Sequence, residues 1–193
     1  IFAKVIKAEQ KNGILGTNIL DSNFNFDLQL IKGAGAYICG DETSLLNSIE
    51  GQRPRSRIKP PYPIQSGLYA KPTLVNNVET LAAAVEVIKR GVGTYTDLGT
   101  TESNGTKLVS LSGEVNEPGV YEIEFGALTI REIIEELGKG IRNNKKLKFV
   151  VPGGVSTSIL PKEKLDIPYS YEAIADAGSN TGSGAMIVVS EEH

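Results

Sequence analysis

Apolar residues change rhythm along the chain, and the change divides it. In IFAKVIKAEQKNG, Phe2, Val5 and Ile6 recur at helical spacing until Gly13, which predicts the end of a helix. FNFDLQLIKG alternates Phe24, Phe26, Leu28 and Leu30 on one face, the period of a strand. DETSLLNSIEG predicts a short helix stopped by Gly51, with Asp41 and Glu42 in its first turn, where carboxylates suit the positive end of the dipole. Next comes a stretch holding Pro54, Pro60, Pro61 and Pro63 with Arg53, Arg55, Arg57 and Lys59, too rich in proline for anything but an extended loop. NNVETLAAAVEVIKRG predicts a helix capped by Asn76, with Glu79 completing a capping box. Its stripe of Val78, Leu81, Ala82, Val85 and Ile88 is expected to be buried, and Gly91 ends it.

Residues 93 to 106, GTYTDLGTTESNGT, are polar and glycine-bearing and mark a boundary. Beyond them KLVSLSGEVNEPGVYEIEFG predicts two strands around a turn at NEPG. TIREIIEELGKG predicts a helix with a Thr129–Glu132 capping box and Ile130, Ile133, Ile134 and Leu137 buried. KLKFVVPGG and AMIVVS add two apolar strands, so this half is a small α+β domain with a mixed sheet wrapped on one helix.

Composition narrows the chemistry. The 193 residues carry a formal charge of -3, which argues against a general nucleic-acid binder, because phosphate neutralisation needs a basic face. No run approaches the roughly 20 apolar residues of a membrane span, and no signal peptide opens the chain. One cysteine, Cys39, makes no intramolecular disulfide and fits a reducing cytosol. The single methionine is Met186, so Ile1 is not an encoded start and the chain is expected to be a piece of something longer. The single histidine, His193, is the last residue and is read as a cut end or the start of a tag. Histidine-based hydrolase sites and ordinary zinc sites are therefore excluded. What remains is carboxylates, amides, backbone and a borrowed cofactor.

The run GAGAYICGDETSLL, residues 33 to 46, has two readings. Its glycines let backbone approach a ligand, and its acids would accept hydrogen bonds from sugar hydroxyls or a nicotinamide amide. Alternatively it is a tight strand-to-helix turn whose acids serve the helix dipole. The spacing Gly33, Gly35, Gly40 fails the dinucleotide fingerprint. Cys39 reads as a small buried hydrophobe, and the cationic loop as either a solvated surface or a site for an acidic partner or a phosphate. Of Asn76 and Asn77, one is expected to cap a helix and the other to present its amide to a ligand. VVPGGVSTS lacks the Lys-Ser/Thr ending of a phosphate loop and reads as a turn.

Together, GAGAYICGDETSLLNSIEG, KPPYPIQSGLYAKPTLVNNVETL and GSGAMIVV resemble the flavin- and NADH-binding subunit of respiratory complex I. They equally resemble the diaphorase subunits of NAD(P)-linked hydrogenases and NAD-dependent formate dehydrogenases. The resemblance implies an α/β and α+β chain. It comprises the C-terminal half of a Rossmann-like FMN-binding domain over 1–92, a linker over 93–105, and a ubiquitin-like β-grasp domain of the SLBB type over 106–190. It implies FMN and NAD(P)(H) as cofactors, with a [4Fe–4S] cluster in a helical domain outside this chain. Gly33, Gly35, Tyr37, Gly40, Asp41 and Glu42 would line the FMN/NADH cavity, Glu42 meeting the nicotinamide nucleotide. Val75, Asn76 and Asn77 would hold the flavin from the other side. No side chain here is expected to act as a catalytic acid or base, or to ligate a metal.

The implied partners are a thioredoxin-like iron–sulfur subunit and a larger iron–sulfur or hydrogenase subunit, without nucleic acid or direct membrane insertion. The implied location is cytoplasmic, including a peripheral place on the cytoplasmic face of a membrane complex. Three departures bear on activity. The family's CGEET is CGDET here, and neither its first glycine-rich loop nor its cysteine-rich cluster motif is present. The chain is accordingly expected to be an inactive fragment of an NAD(P)H-linked oxidoreductase. The alternative is a β-grasp docking module without bound cofactor.

Overall fold

A computed structural model describes residues 1–191. The chain divides into two compact units, one of residues 1–77 and one from Val78 onward. His193, read above as a cut end, lies outside the described residues.

The first unit is built of helices and turns. Helix α1 spans Phe2–Lys11, as the spacing of Phe2, Val5 and Ile6 predicts, but none of its residues is buried. The strand expected at Phe24 to Leu30 does not form. Its one ladder contact is an isolated bridge between Gly16 and Phe26, and Phe24 stacks on Phe26 with ring centroids 6.5 Å apart. Alternation marks a face, but a strand also needs a neighbour to take its hydrogen bonds. A 3₁₀ turn at Tyr37–Gly40 leads into α2, Glu42–Ile49. Cys39 is half-buried in that turn rather than enclosed in a core.

In the second unit α3 covers Val78–Arg90, followed by a short α4, Gly93–Thr96. The residue before its first turn is Asn77, one place later than a cap at Asn76 requires. The stripe expected to be buried is exposed: Val78 76%, Leu81 53%, Val85 47% and Ile88 83%. The helix is amphipathic as predicted, but its partly buried positions are Glu79, Ala83 and Val87.

The sheet has the order β2–β1–β5–β3–β4, with strands Thr106–Gly113, Gly119–Glu124, Leu147–Val151, Leu160–Pro161 and Ala185–Ser190 in chain order β1 to β5. First and last strands pair in parallel at the centre, and every other pairing is antiparallel. The predicted helix starts at Ile130 as α5, Ile130–Glu132, and continues as a π turn through Leu137. Its capping box is present: Glu132 N donates to Thr129 Oγ1 at 3.1 Å, and Thr129 N donates to Glu132 Oε2 at 2.7 Å. Ile130, Ile133 and Ile134 are buried against Val109, Leu111, Met186 and Val188 of β1 and β5. This is the β-grasp arrangement: one mixed sheet closed on one helix. A further short helix, α6, runs from Tyr171 to Asp176.

Residues 98–105, placed in a linker by the sequence, are stitched to this unit. Gly99 N donates to Glu124 Oε1 at 2.9 Å. Thr100 and Ser103 hydroxyls donate to the two carboxylate oxygens of Glu172 at 2.6 and 2.5 Å. The turn at PGG is packed backbone to backbone. A Cβ on Gly153 would lie 2.3 Å from Thr181 C, and one on Gly182 would lie 2.1 Å from Gly153 O.

The enclosed helix should dominate the stability of this unit. Ile133→Ala is expected to cost about 2–5 kcal/mol in urea unfolding, whereas Val120→Ala on the exposed sheet face should stay within about 0.5 kcal/mol.

Candidate functional site

The run from Gly33 to Glu42 enters α2 through a chain of local hydrogen bonds. Asp41 is the residue before the helix, in extended conformation, and its Oδ1 accepts from Ser44 N at 2.9 Å and from Thr43 Oγ1 at 2.7 Å. Aspartate is among the best residues for this position because its short side chain folds back on the first-turn amides. A glutamate reaches less well, so the aspartate of CGDET has a structural reason here. The Thr43 hydroxyl and the Ser44 amide hold the Asp41 carboxyl down to about 2.

Glu42 forms an ion pair with Lys59 of the proline loop. The ammonium holds the Glu42 carboxyl below its ordinary range, and Glu42 raises Lys59 in turn. The two acids at the start of α2 therefore do not present two bare negative charges to an incoming ligand.

The loop itself is fixed by the buried polar face of α2. Thr43, Ser44 and Asn47 are 2%, 0% and 4% exposed, and buried groups of this kind need partners. Arg57 N donates to Thr43 Oγ1 at 2.9 Å, Asn47 Nδ2 donates to Arg55 O at 2.8 Å, and Arg57 Nε donates to Asn47 Oδ1 at 2.8 Å. The same guanidinium bonds Gly67 O at 3.0 Å and pairs with Glu50 at 2.9 Å. Glu50 also accepts from Tyr69 N at 2.8 Å. One helix thus holds the proline loop along its length and the 67–71 turn at its C-terminal end.

The structure brings Tyr37, Gly40, Asp41 and Glu42 together in one continuous turn. Tyr37 is 65% exposed. Val75, Asn76 and Asn77 form an exposed segment without regular secondary structure ahead of α3. Gly33 and Gly40 have ordinary negative φ, and among the described residues nothing lies within 4 Å of a Cβ built on either. The packing of this unit gives no reason for glycine at either position. Gly35, by contrast, sits at φ +75°, where glycine is favoured on conformational grounds.

In the sequence, Arg57 and Lys59 read only as members of a charged loop. Their signal was the odd-numbered series Arg53, Arg55, Arg57, Lys59, which shares one face of an extended segment. The structure docks the Arg57 and Lys59 end of that series on the acids of α2.

Residues 1–86 match the Nuo51 FMN-binding domain family and residues 107–177 the SLBB domain family. The chain thus carries a segment similar to the Nuo51 FMN-binding domain followed by one similar to the SLBB domain. Among curated proteins it is 43% identical over 188 residues to an NADH-quinone oxidoreductase F subunit of Rhizobium meliloti (strain 1021), covering 97% of this chain and 44% of that protein. It is also 43% identical over 189 residues to the NADH-quinone oxidoreductase F subunit of Escherichia coli (strain K12), covering 98% and 42%. The chain thus spans less than half the length of these relatives. Among solved structures it resembles an NAD+-reducing [NiFe]-hydrogenase in the H2-reduced state, with TM-score 0.77 and 30% identity, over 100% of this chain and 31% of that one. The air-oxidised state gives TM-score 0.73 at 33% identity, over 88% and 28%. No helix among the described residues is long and apolar enough to cross a membrane.

The Asp41 cap has a pH signature. Its folded value lies below the ordinary 3.8, so its contribution to α2 is complete above about pH 4 and is lost as pH falls towards 2. A carboxyl NMR titration should place the Asp41 midpoint near 2. Asp41→Asn should keep the cap at neutral pH and remove this titration, whereas a midpoint near 3.8 in the unsubstituted chain would mean that the carboxylate is not capping.

Proposed function

We propose that this chain supplies one wall of the FMN and nicotinamide site of a longer NAD(P)H-oxidising, or NAD(P)-reducing, flavoprotein subunit. The observation that carries this reading is the Tyr37–Glu42 turn inside the Nuo51 FMN-binding match. Within this turn Gly40, and just ahead of it Gly33, are open to approach although the fold itself has no need of glycine at them. A planar ligand with hydrogen-bonding edges suits such a surface: bare backbone, the exposed ring of Tyr37, and a carboxylate held by Lys59.

In this reading Gly33, Gly35, Tyr37 and Gly40 border the flavin, and Glu42, oriented by Lys59, accepts from the nicotinamide nucleotide. Asp41 acts through the cap, keeping the turn in shape. Val75, Asn76 and Asn77 offer backbone and amide groups from the second segment. Bound FMN supplies the exchange between two-electron hydride chemistry and one-electron transfer, and the protein's part is alignment rather than proton transfer. The electrons pass to iron–sulfur clusters, including a [4Fe–4S] cluster in a domain outside this chain. The partners are a thioredoxin-like iron–sulfur subunit and a larger iron–sulfur or hydrogenase subunit. The protein works in the cytoplasm, free or on the cytoplasmic face of a membrane complex. The relatives' own names, subunits of a quinone oxidoreductase and an NAD+-reducing hydrogenase, support this reading.

The chain by itself supplies only part of the site, so it should bind FMN weakly. Titration followed by flavin fluorescence should give a Kd above about 1 µM for the chain and a much tighter one for a full-length subunit carrying it. Asn77→Ala and Tyr37→Ala in the full-length subunit should weaken binding. Sub-micromolar binding by the chain alone, or no effect of either substitution, would overturn the reading.

A further inference from the structure

The start of β1 has two needs that its own sheet does not meet. Lys107 is only 11% exposed at its side chain and requires a counter-charge. Leu108 N points to the side on which β5 lies, but β5 begins opposite Ser110, where Ser110 N already donates to Gly184 O at 2.8 Å. The Leu108 amide therefore falls one rung beyond the end of the ladder. A single carboxylate answers both. Glu79 of α3 accepts from Lys107 Nζ at 2.5 Å through one oxygen and from Leu108 N at 3.0 Å through the other.

This double contact matters because α3 buries no residue, and its apolar stripe faces outward. The first turn of the helix is held by charge and hydrogen bonds. Two residues before Glu79 is Asn77, and the segment Val75–Asn77 runs directly into that turn.

We propose that Glu79 is a positioning residue for the flavin contact at Asn76 and Asn77. By completing the open start of β1 it fixes the first turn of α3, and with it the backbone that leads into the turn. The proposal rests on the reading of Asn76 and Asn77 given above. Glu79 touches no ligand in this role; it sets where its neighbours sit.

The test uses a full-length subunit carrying this sequence, with FMN affinity and backbone amide exchange at residues 75–80 measured together. Glu79→Ala should weaken FMN binding about tenfold and raise exchange over this segment. Glu79→Gln keeps an acceptor for Leu108 N and should recover most of the loss. If Glu79→Ala does not fold, Lys107→Met carries the test, with a smaller drop in affinity and a smaller rise in exchange expected. Asn77→Ala serves as the reference. Lower affinity in Asn77→Ala with unchanged affinity in the Glu79 and Lys107 variants would overturn the positioning role and leave the site reading standing. Unchanged affinity in Asn77→Ala would overturn the site reading, and with it the role of Glu79 in flavin binding.

Discussion

The first unit depends on one constraint: the face that α2 buries is polar. Thr43, Ser44 and Asn47 are removed from water as completely as Leu46, and no apolar packing can compensate a buried hydroxyl or amide that lacks a partner. The partners come from one stretch, Arg55 to Arg57, which satisfies Thr43 and Asn47 and brings Arg57 onto Glu50 and Gly67 O. Once that stretch is seated, Lys59 is delivered to Glu42 at the other end of the helix. The shape of the Tyr37–Glu42 turn follows from this polar core. It is held by hydrogen bonds of fixed direction, as suits a surface that has to keep its geometry with little hydrophobic mass beneath it.

The second unit is organised the other way. Its helix and sheet enclose an aliphatic core, and its polar contacts close openings at the edges: Glu172 over the 98–105 stretch, Glu79 at the start of β1, Glu114 at the end of β5. Glu114 accepts from Ser190 N at 2.8 Å and from Lys145 at 3.2 Å. Each of these glutamates takes up a backbone amide or hydroxyl at a place where the regular pairing stops.

Legibility in the sequence followed the range of the contacts. The Thr129–Glu132 box and the spacing of Ile130, Ile133 and Ile134 are local, and both were readable. The hairpin and the apolar strands were readable for the same reason. The π turn at the end of the helix carries no compositional mark of its own. Alternation at Phe24 to Leu30 named a face without supplying the neighbouring strand that turns a face into a sheet. The stripe on α3 showed which residues are apolar, and periodicity has no means of saying what covers them. At the site, the glycines and acids of residues 33–42 stand out by composition. Glu42 and Lys59 lie 17 positions apart, and Asn47 and Arg57 lie 10 apart, with the end of α2 and the irregular proline loop between them and no period to announce either link.

The Gly153–Gly182 crossing restricts how this protein can drift. Ser183 N donates to Gly153 O at 2.9 Å, so the two segments are drawn together at the same point where each excludes a side chain from the other. A methyl group at either glycine must part the two segments and break that bond, and a second methyl across from it would widen the gap further. The pair therefore cannot be repaired by trading one substitution for another. Both positions must stay bare for the last strand to enter the sheet in register.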